Sequence, residues 1–263
     1  GCSRARGLAT PVLSSEAPQG TDSRSHLAVG NLGPAEGEAN DVGSGVTAAT
    51  IVGLAGVAFL FSLAVGASER SGSRGAGTFA AWSATAGIRL LADMAVVALP
   101  GSWAVVAGLV GHVTTWIAVL LLLLFALRFS APPTATERWR SEPFWAAGLI
   151  ASGIVLTNPL HETYLRSGWS DLTVDFGPVG WGMTATGFLV VVGVVVLLTV
   201  AMLRNASRRL PLALAVVGVS MNLGATVLPL FAWSPFGFGQ VDVVLRAAAA
   251  GLFAIALFDF HRA

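Results

Sequence analysis

Long apolar stretches alternate with short polar segments along most of the chain, from Gly45 to the C-terminus. Each stretch is about 20 residues long, and a helix of that length crosses the roughly 30 Å hydrocarbon core of a bilayer. Backbone polar groups must be satisfied inside each crossing segment, so the stretches are predicted to be helices. We therefore expect an all-α, polytopic membrane helix bundle of seven transmembrane helices. The seven predicted spans are residues 45–67, 76–99, 102–128, 143–160, 178–203, 210–232 and 240–258.

Two parts of the chain depart from this regular pattern. The fourth predicted span is short, and Gly148 and Gly153 interrupt it. Residues 1–44 are rich in Gly, Ser, Pro and Ala and show no apolar periodicity, which is typical of a disordered tail. The expected organisation is a tail at residues 1–44 followed by a seven-transmembrane domain at residues 45–260.

Composition supports the lipid bilayer as the main solvent of this chain. Of the residues, 54% are hydrophobic and 11% are charged, whereas a soluble domain is about a quarter charged. The net charge is +1 with no basic patch, which argues against a nucleic-acid partner. All basic residues are Arg, so the lysine that a retinal Schiff base requires in the last helix is missing. The single Cys excludes an internal disulfide.

Arginine is distributed unevenly between the two sets of loops. Apart from three arginines in the tail, the loops on one side carry only Arg166, and the other side carries nine. The positive-inside rule therefore places the N-terminus outside and the C-terminus in the cytoplasm of a multi-pass cell-membrane protein. That orientation requires an odd number of spans, which agrees with the hydropathy. The nine arginines are Arg70, Arg74, Arg128, Arg138, Arg140, Arg204, Arg208, Arg209 and Arg262.

Two pairs of oppositely charged residues lie inside the spans, in the half towards the predicted outer side. Arg89 and Asp93 are four residues apart on one face of the second span. Asp242 and Arg246 have the same spacing in the seventh span. Ionisable groups in a membrane are costly and usually face the bundle interior or a wet cavity, which indicates a polar pocket opening outwards. The alternative is that each pair neutralises itself and holds helices together.

Two further polar side chains lie at similar depth. His112 is in the third span and Asn222 is in the sixth. Both could line the same pocket. The alternative is that His112 is a hydrogen-bonded packing residue and that Asn222 joins two helices.

The connection at residues 158–177 is the longest of the predicted external loops. It contains His161, Glu162, Asp171 and Asp175, but their spacing matches no established metal-ligand pattern. We expect a solvated loop that caps the bundle, and no metal site. The chain has no lysine-containing phosphate loop, zinc-protease helix motif or nucleophile elbow, so we expect no catalytic residues and no cofactor.

Short motifs carry a resemblance to a known family. The fourth span ends in the run Thr157 to His161, and after an aromatic-containing loop the fifth opens with the run Gly177 to Trp181. Ala81-Trp82 in the second span and Phe125-Ala126-Leu127 in the third belong to the same pattern. Over residues 45–260 the chain resembles the N-terminal seven-helix sensor region of membrane histidine kinases.

The resemblance implies a sensory role and not an enzymatic one. It implies an input module that relays an external or intramembrane signal to a cytoplasmic kinase or other output domain, and that works as a homodimer. No phosphoacceptor or ATP-binding motif follows the seventh span, so we expect this chain to sense and not to phosphorylate. Asn158 and His161, with the polar residues of the outer half, are the candidate sensing residues.

Two other classes of function are compatible with the same residues. A small-solute or ion transporter would use Arg89, Asp93, His112 and Asp242 as a relay. A structural subunit of a membrane complex would use them only to hold its helices together.

Overall fold

The computed structural model of the chain describes residues 36–70, 75–131, 141–166, 175–227 and 240–258. The chain divides into the units Gly1–Asn40 and Asp41–Ala263, and the second contains the membrane bundle. Within the described residues all regular elements are helices, apart from one isolated bridge between Leu165 and Phe176. The helices are α1 (Glu36–Glu69), α2 (Ala76–Ala98), α3 (Ser102–Ser130), α4 (Glu142–Leu156), α5 (Asn158–His161), α6 (Pro178–Arg204), α7 (Arg209–Val227) and α8 (Gln240–Phe258), with a 3-10 turn at Ala206–Arg208.

Six of the described helices are long and apolar enough to cross a membrane. The protein is therefore a helical, multi-pass membrane bundle, as its hydrophobic pattern predicts. The fourth predicted span, residues 143–160, corresponds to α4 together with the four-residue α5, and α4 itself has only 15 residues. The six candidate spans are Thr50–Glu69, Ala76–Ala98, Ser102–Ser130, Pro178–Arg204, Ala206–Thr226 and Val241–Phe258.

The first helix begins earlier than the hydrophobic pattern predicts. Helix α1 begins at Glu36, so residues 36–44, which the sequence analysis assigns to the tail, are helical. Residues 1–35 of that tail lie outside the described part of the chain, as do residues 228–232 at the end of the sixth predicted span.

Five helices form a closed ring. Along it α2 packs against α3, α3 against α6, α6 against α7, and α7 against α8, which returns to α2. Helix α4 packs on the outside of α3, where Gly148 lies against Leu120. Helix α1 lies against α2 and α8, since Gly87 faces Phe61, and Gly56 faces both Leu90 and Val243. Small residues at these contacts let the helices approach closely where lipid supplies no hydrophobic drive for association.

A buried aromatic cluster joins α2, α3 and α8. The Trp82 and Phe253 rings meet edge to face with centroids 5.2 Å apart, and Phe125 lies 5.4 Å from Phe253. Phe79 and Phe129 complete the cluster. Such ring contacts contribute about 0.5–1.5 kcal/mol each beyond the area they bury. These contacts therefore hold the C-terminal half of α8 against α2 and α3.

Arginines close the same end of the bundle. Arg128 donates a hydrogen bond to the Thr78 hydroxyl at 2.9 Å, and so ties the end of α3 to the start of α2. Arg208 donates to the Phe129 carbonyl at 2.9 Å, and the Arg70 guanidinium lies 4.5 Å from the centre of the Phe258 ring. Arg204 and Arg209 belong to this end too. Arg74, Arg138, Arg140 and Arg262 lie outside the described residues.

Candidate functional site

Asn158 is a buried polar clamp at the opposite end of the bundle. Helix α4 ends at Leu156, and Asn158 opens the short helix α5 with no solvent-exposed surface. Its side-chain oxygen accepts hydrogen bonds from the backbone N–H groups of Tyr164 and Leu165, at 2.9 and 3.0 Å. Its amide donates to the Leu165 carbonyl at 3.2 Å. One side chain therefore satisfies backbone groups on one edge of this extended segment, whose other edge pairs with the segment around Phe176.

The clamped segment in turn caps the start of α6. The Thr163 carbonyl accepts hydrogen bonds from the N–H groups of Val179 and Gly180, at 3.0 and 3.4 Å, and the Tyr164 carbonyl accepts one from Gly177 at 2.9 Å. Free N–H groups at a helix start must find acceptors, and here backbone carbonyls supply them. A Cβ at Gly177 would collide with the Thr163 carbonyl, and one at Gly180 would collide with the Tyr164 carbonyl.

His161 forms the outer turn of this unit. Its Nδ1 atom accepts a hydrogen bond from the Thr163 backbone N–H at 3.2 Å and lies 2.6 Å from the Thr163 hydroxyl. Its Nε2 atom lies 3.2 Å from the Thr157 hydroxyl. The side chain is exposed, and the turn reverses at Glu162, whose φ is 50°. His161 therefore holds this turn together through Thr157 and Thr163, and it lies at the exposed edge of the candidate site.

Tyr164 brings this turn into contact with the membrane-spanning helices. It is 2% exposed, and its hydroxyl lies 3.0 Å from Nδ1 of His112 in α3. The two rings meet edge to face at 5.5 Å, and Phe176 packs against both. Because Asn158 holds the Tyr164 backbone, the contact between Tyr164 and His112 depends on the fold of this turn.

The Tyr164 hydroxyl keeps its proton well above neutral pH. Burial raises the pKa of Tyr164 above its ordinary value, while Trp116 and the Arg89 guanidinium act in the opposite direction. A neutral phenol can donate its hydrogen to the His112 ring nitrogen.

The Arg89–Asp93 pair lies between α2 and α3. Arg89 Nε donates to both carboxylate oxygens of Asp93, at 2.9 Å each, and the two side chains are 25% and 39% exposed. A Cβ at Gly111 would lie 3.4 Å from Asp93 Oδ1 and 3.6 Å from Arg89 Nε. The pair therefore packs directly on the α3 backbone, one residue before His112.

A second ion pair occupies the first turns of α8. Arg246 Nε donates to Asp242 Oδ1 at 2.6 Å, and the side chains are 15% and 18% exposed. Asn222 of α7 is half-buried, and its backbone carbonyl accepts a hydrogen bond from Thr226. It lies one turn from Gly218, which faces Phe253 and the Ala249 carbonyl of α8.

The described structure brings four of the eight candidate residues into one connected site. Arg89 and Asp93 pack on Gly111, the residue before His112, and Asn158 connects to His112 through Tyr164. We call Arg89, Asp93, His112, Asp242 and Arg246 the polar layer. Asn222 lies beside α8, and His161 lies at the outer turn.

Sequence reasoning missed the residues that connect the site. Tyr164 is the sole tyrosine of the chain, and Trp116 is a tryptophan in the middle of a span instead of at its boundary. Both are signals that the hydropathy pattern alone does not register. Gly111 gives no such signal, because many glycines occur inside the spans.

The described residues include no group of three His, Cys, Asp or Glu side chains close enough to hold a metal ion. His161, Glu162 and Asp175 lie in this part of the chain, whereas Asp171 lies outside it.

Comparison with models of known protein families gives a match. The family model described as the N-terminal 7TM region of histidine kinase matches residues 46–262. Those residues include all eight candidate residues and the turn that Asn158 holds. Neither a curated protein nor a solved structure matches the chain.

We expect Gly180→Ala to destabilise the protein by about 2 kcal/mol, because the new methyl group displaces the Tyr164 carbonyl that caps α6. Gly182→Ala is the matched control in the same helix, since a Cβ there meets nothing within 4 Å. Thermal unfolding of both variants in one detergent measures the difference. Equal unfolding midpoints for the two variants would contradict the close approach at Gly180.

We expect Tyr164→Phe to cost about 1–3 kcal/mol at neutral pH, because it leaves His112 Nδ1 without this hydrogen-bond partner. In the unfolded state the tyrosine ionises at its ordinary pKa of about 10, before the folded state does. Wild-type stability therefore falls as the pH rises above about 10, and the variant lacks this fall. Unfolding midpoints from pH 7 to 11 provide the measurement. If the difference in unfolding midpoint between the wild type and Tyr164→Phe did not narrow as the pH rises, this would contradict the burial of the phenol.

Proposed function

The chain belongs to the family of N-terminal 7TM regions of histidine kinases. From this premise we propose that it relays a signal from its polar layer to a cytoplasmic output domain. The family supports a membrane sensory input module in general. The observation that carries the more specific proposal is the Asn158–Tyr164–His112 connection, which links the external turn to the membrane-spanning helices.

Helix α2 provides a direct physical route from the site to α8. Arg89 and Asp93 belong to the polar layer, and Trp82 of the same helix packs against Phe253 of α8. Because α2 is a continuous helix from Ala76 to Ala98, a shift at Arg89 also moves Trp82. Helix α8 is the last described element before the C-terminus, so it is the element that would transmit the shift.

A stimulus transmits a signal only when it binds two arrangements of the helices with different affinity. Coupling of this kind typically amounts to about 1–3 kcal/mol, or about 5-fold to 150-fold in an equilibrium constant. The side chains of the polar layer suit this role because they are only partly buried. The Asp93 carboxylate is 39% exposed, and the Arg89 side chain is 25% exposed.

The remaining parts of the proposal concern assembly and orientation. The output domain is cytoplasmic, and the signalling unit is a homodimer, as the family resemblance implies. The end of the bundle that carries Arg70, Arg128 and Arg208 faces the cytoplasm, and the turn that contains His161 faces outside. The arginine bias of the loops supports this orientation.

We expect Arg89→Gln to change the autophosphorylation of the full-length protein by about fivefold or more, because it removes the charge that pairs with Asp93 beside Gly111 of α3. The measurement uses the protein reconstituted in vesicles with labelled ATP. Arg204→Gln is the matched control, as an exposed arginine at the other end of the bundle. His161→Ala is measured in parallel.

Unchanged phosphorylation in both Arg89→Gln and His161→Ala would show that sensing lies elsewhere. Solute flux through the same vesicles that Asp93→Asn abolishes would favour a transporter over the proposed sensor.

For orientation, we expect a cysteine at position 166 to react with a membrane-impermeant maleimide in intact cells, and a cysteine at position 209 to react only after lysis. Arg166→Cys and Arg209→Cys are matched because both arginines are exposed and lie at opposite ends of the bundle. Both variants carry Cys2→Ser, so the new thiol is the only one in the chain. The reverse labelling pattern would invert the proposed orientation.

A further inference from the structure

The two ion pairs lie on facing stripes of α2 and α8. Arg89 follows Trp82 by seven residues, and Arg246 precedes Phe253 by seven. Seven residues make almost two helical turns, so each arginine returns to within about 20° of the aromatic residue on its own helix. The Trp82 and Phe253 rings are in contact. The arginines therefore continue the same α2–α8 seam about 10 Å further along.

A second contact fixes the register of this seam. A Cβ at Gly56 of α1 would lie 3.1 Å from the Leu90 side chain and 2.7 Å from the Val243 side chain, so these two residues are at one level. The two contacts together make α2 and α8 antiparallel and place Arg89 and Arg246 within about 3 Å of one level. By the same count of residues, Asp93 and Asp242 lie at the same height along the two helices, one turn nearer the C-terminal end of α2 than the arginines.

This arrangement leaves a surplus of hydrogen-bond donors at the arginine level. A guanidinium has five N–H donors. Arg89 bonds to Asp93 through Nε alone, and Arg246 bonds to Asp242 through Nε alone. Within the described part of the chain, the terminal Nη groups of these two arginines make no hydrogen bond to protein. Partly buried donors of this kind need acceptors, and a planar oxyanion accepts two from one guanidinium.

We infer that the protein binds a small monoanionic carboxylate between Arg89 of α2 and Arg246 of α8. The carboxylate lies against the Nη groups of the two arginines. Its apolar body extends towards α3, where Arg89 packs beside Gly111 and the ring of the next residue, His112, meets Tyr164. This inference rests on the proposed function and names the chemical class of its stimulus.

The neighbouring carboxylates decide between a monoanion and a dianion. Asp93 and Asp242 lie one turn, about 6 Å, from the arginine level. Both repel an added anion. Doubling the charge of the ligand doubles the attraction and the repulsion alike, whereas the cost of removing an ion from water rises with the square of its charge. The attraction to the arginines is already shared with Asp93 and Asp242. A single negative charge is therefore the better match.

Benzoate serves as the probe, because it combines a carboxylate with a flat apolar body. The 263-residue chain is placed in nanodiscs of zwitterionic lipid, and its thermal unfolding is followed at constant ionic strength. Benzoate is expected to raise the unfolding midpoint in a saturable way. Benzyl alcohol has no charge and is expected to give no saturable rise, and phenyl phosphate is expected to bind at least about tenfold more weakly than benzoate.

Two neutral double variants test the site itself. Arg89→Gln/Asp93→Asn and Asp242→Asn/Arg246→Gln each remove both charges of one pair while keeping side chains of similar size. Each is expected to weaken benzoate binding at least about tenfold, whereas Arg204→Gln leaves it unchanged. The unfolding midpoint without probe shows whether each variant folds. If one double variant does not fold, the other carries the test.

Each alternative result contradicts the inference. Equal affinity for benzoate in the double variants and the wild type would remove the arginines from the site. Tighter binding of phenyl phosphate would overturn the monoanion assignment, and an equal response to benzyl alcohol would show nonspecific partitioning. Because binding is measured without an output domain, its failure leaves the phosphorylation test of the sensor intact. A failed phosphorylation test likewise leaves the binding result standing.

Discussion

A polar group buried away from water, in the protein or in the hydrocarbon core of a membrane, must find its partner inside the protein, and this constraint organises the whole structure. The long helices satisfy their own backbone groups. The segment that returns from α5 to α6 has no helix of its own, and the Asn158 side chain satisfies it with three hydrogen bonds. The charged side chains obey the same rule, since Arg89 and Arg246 each hold a carboxylate one turn away.

The same constraint explains which parts of the fold the sequence predicts. Hydropathy finds the long helices because an entire span must be apolar, and the predicted 178–203 differs from the observed Pro178–Arg204 by one residue. It finds the fourth segment less well. Residues 143–160 read as one apolar stretch, but the helix ends at Leu156 and a new one starts at Asn158. Pro159 lacks a backbone N–H, and Asn158 bonds to a segment that follows it in the chain.

The candidate site is predictable only in part, for a related reason. The spacing of Arg89 and Asp93, and that of Asp242 and Arg246, is a local property of a helix, and both pairs form as the sequence indicates. The contact of His112 with Tyr164 joins residues 52 positions apart. It depends on how the turn between α5 and α6 folds back over α3, which no local pattern encodes. The register of α2 against α8 depends in turn on the packing of Gly56, Leu90 and Val243.

The aromatic cluster on α8 has a consequence for the form of any output. Interlocked rings have only a few low-energy packings, because a close-packed interior does not deform continuously. Phe253 touches Phe79, Trp82 and Phe125, so α8 cannot rotate by a small angle without separating several rings at once. Under the proposed function the helix would therefore act as a latch with discrete positions. A graded rise in stimulus would then change the fraction of molecules in each position and not the position itself.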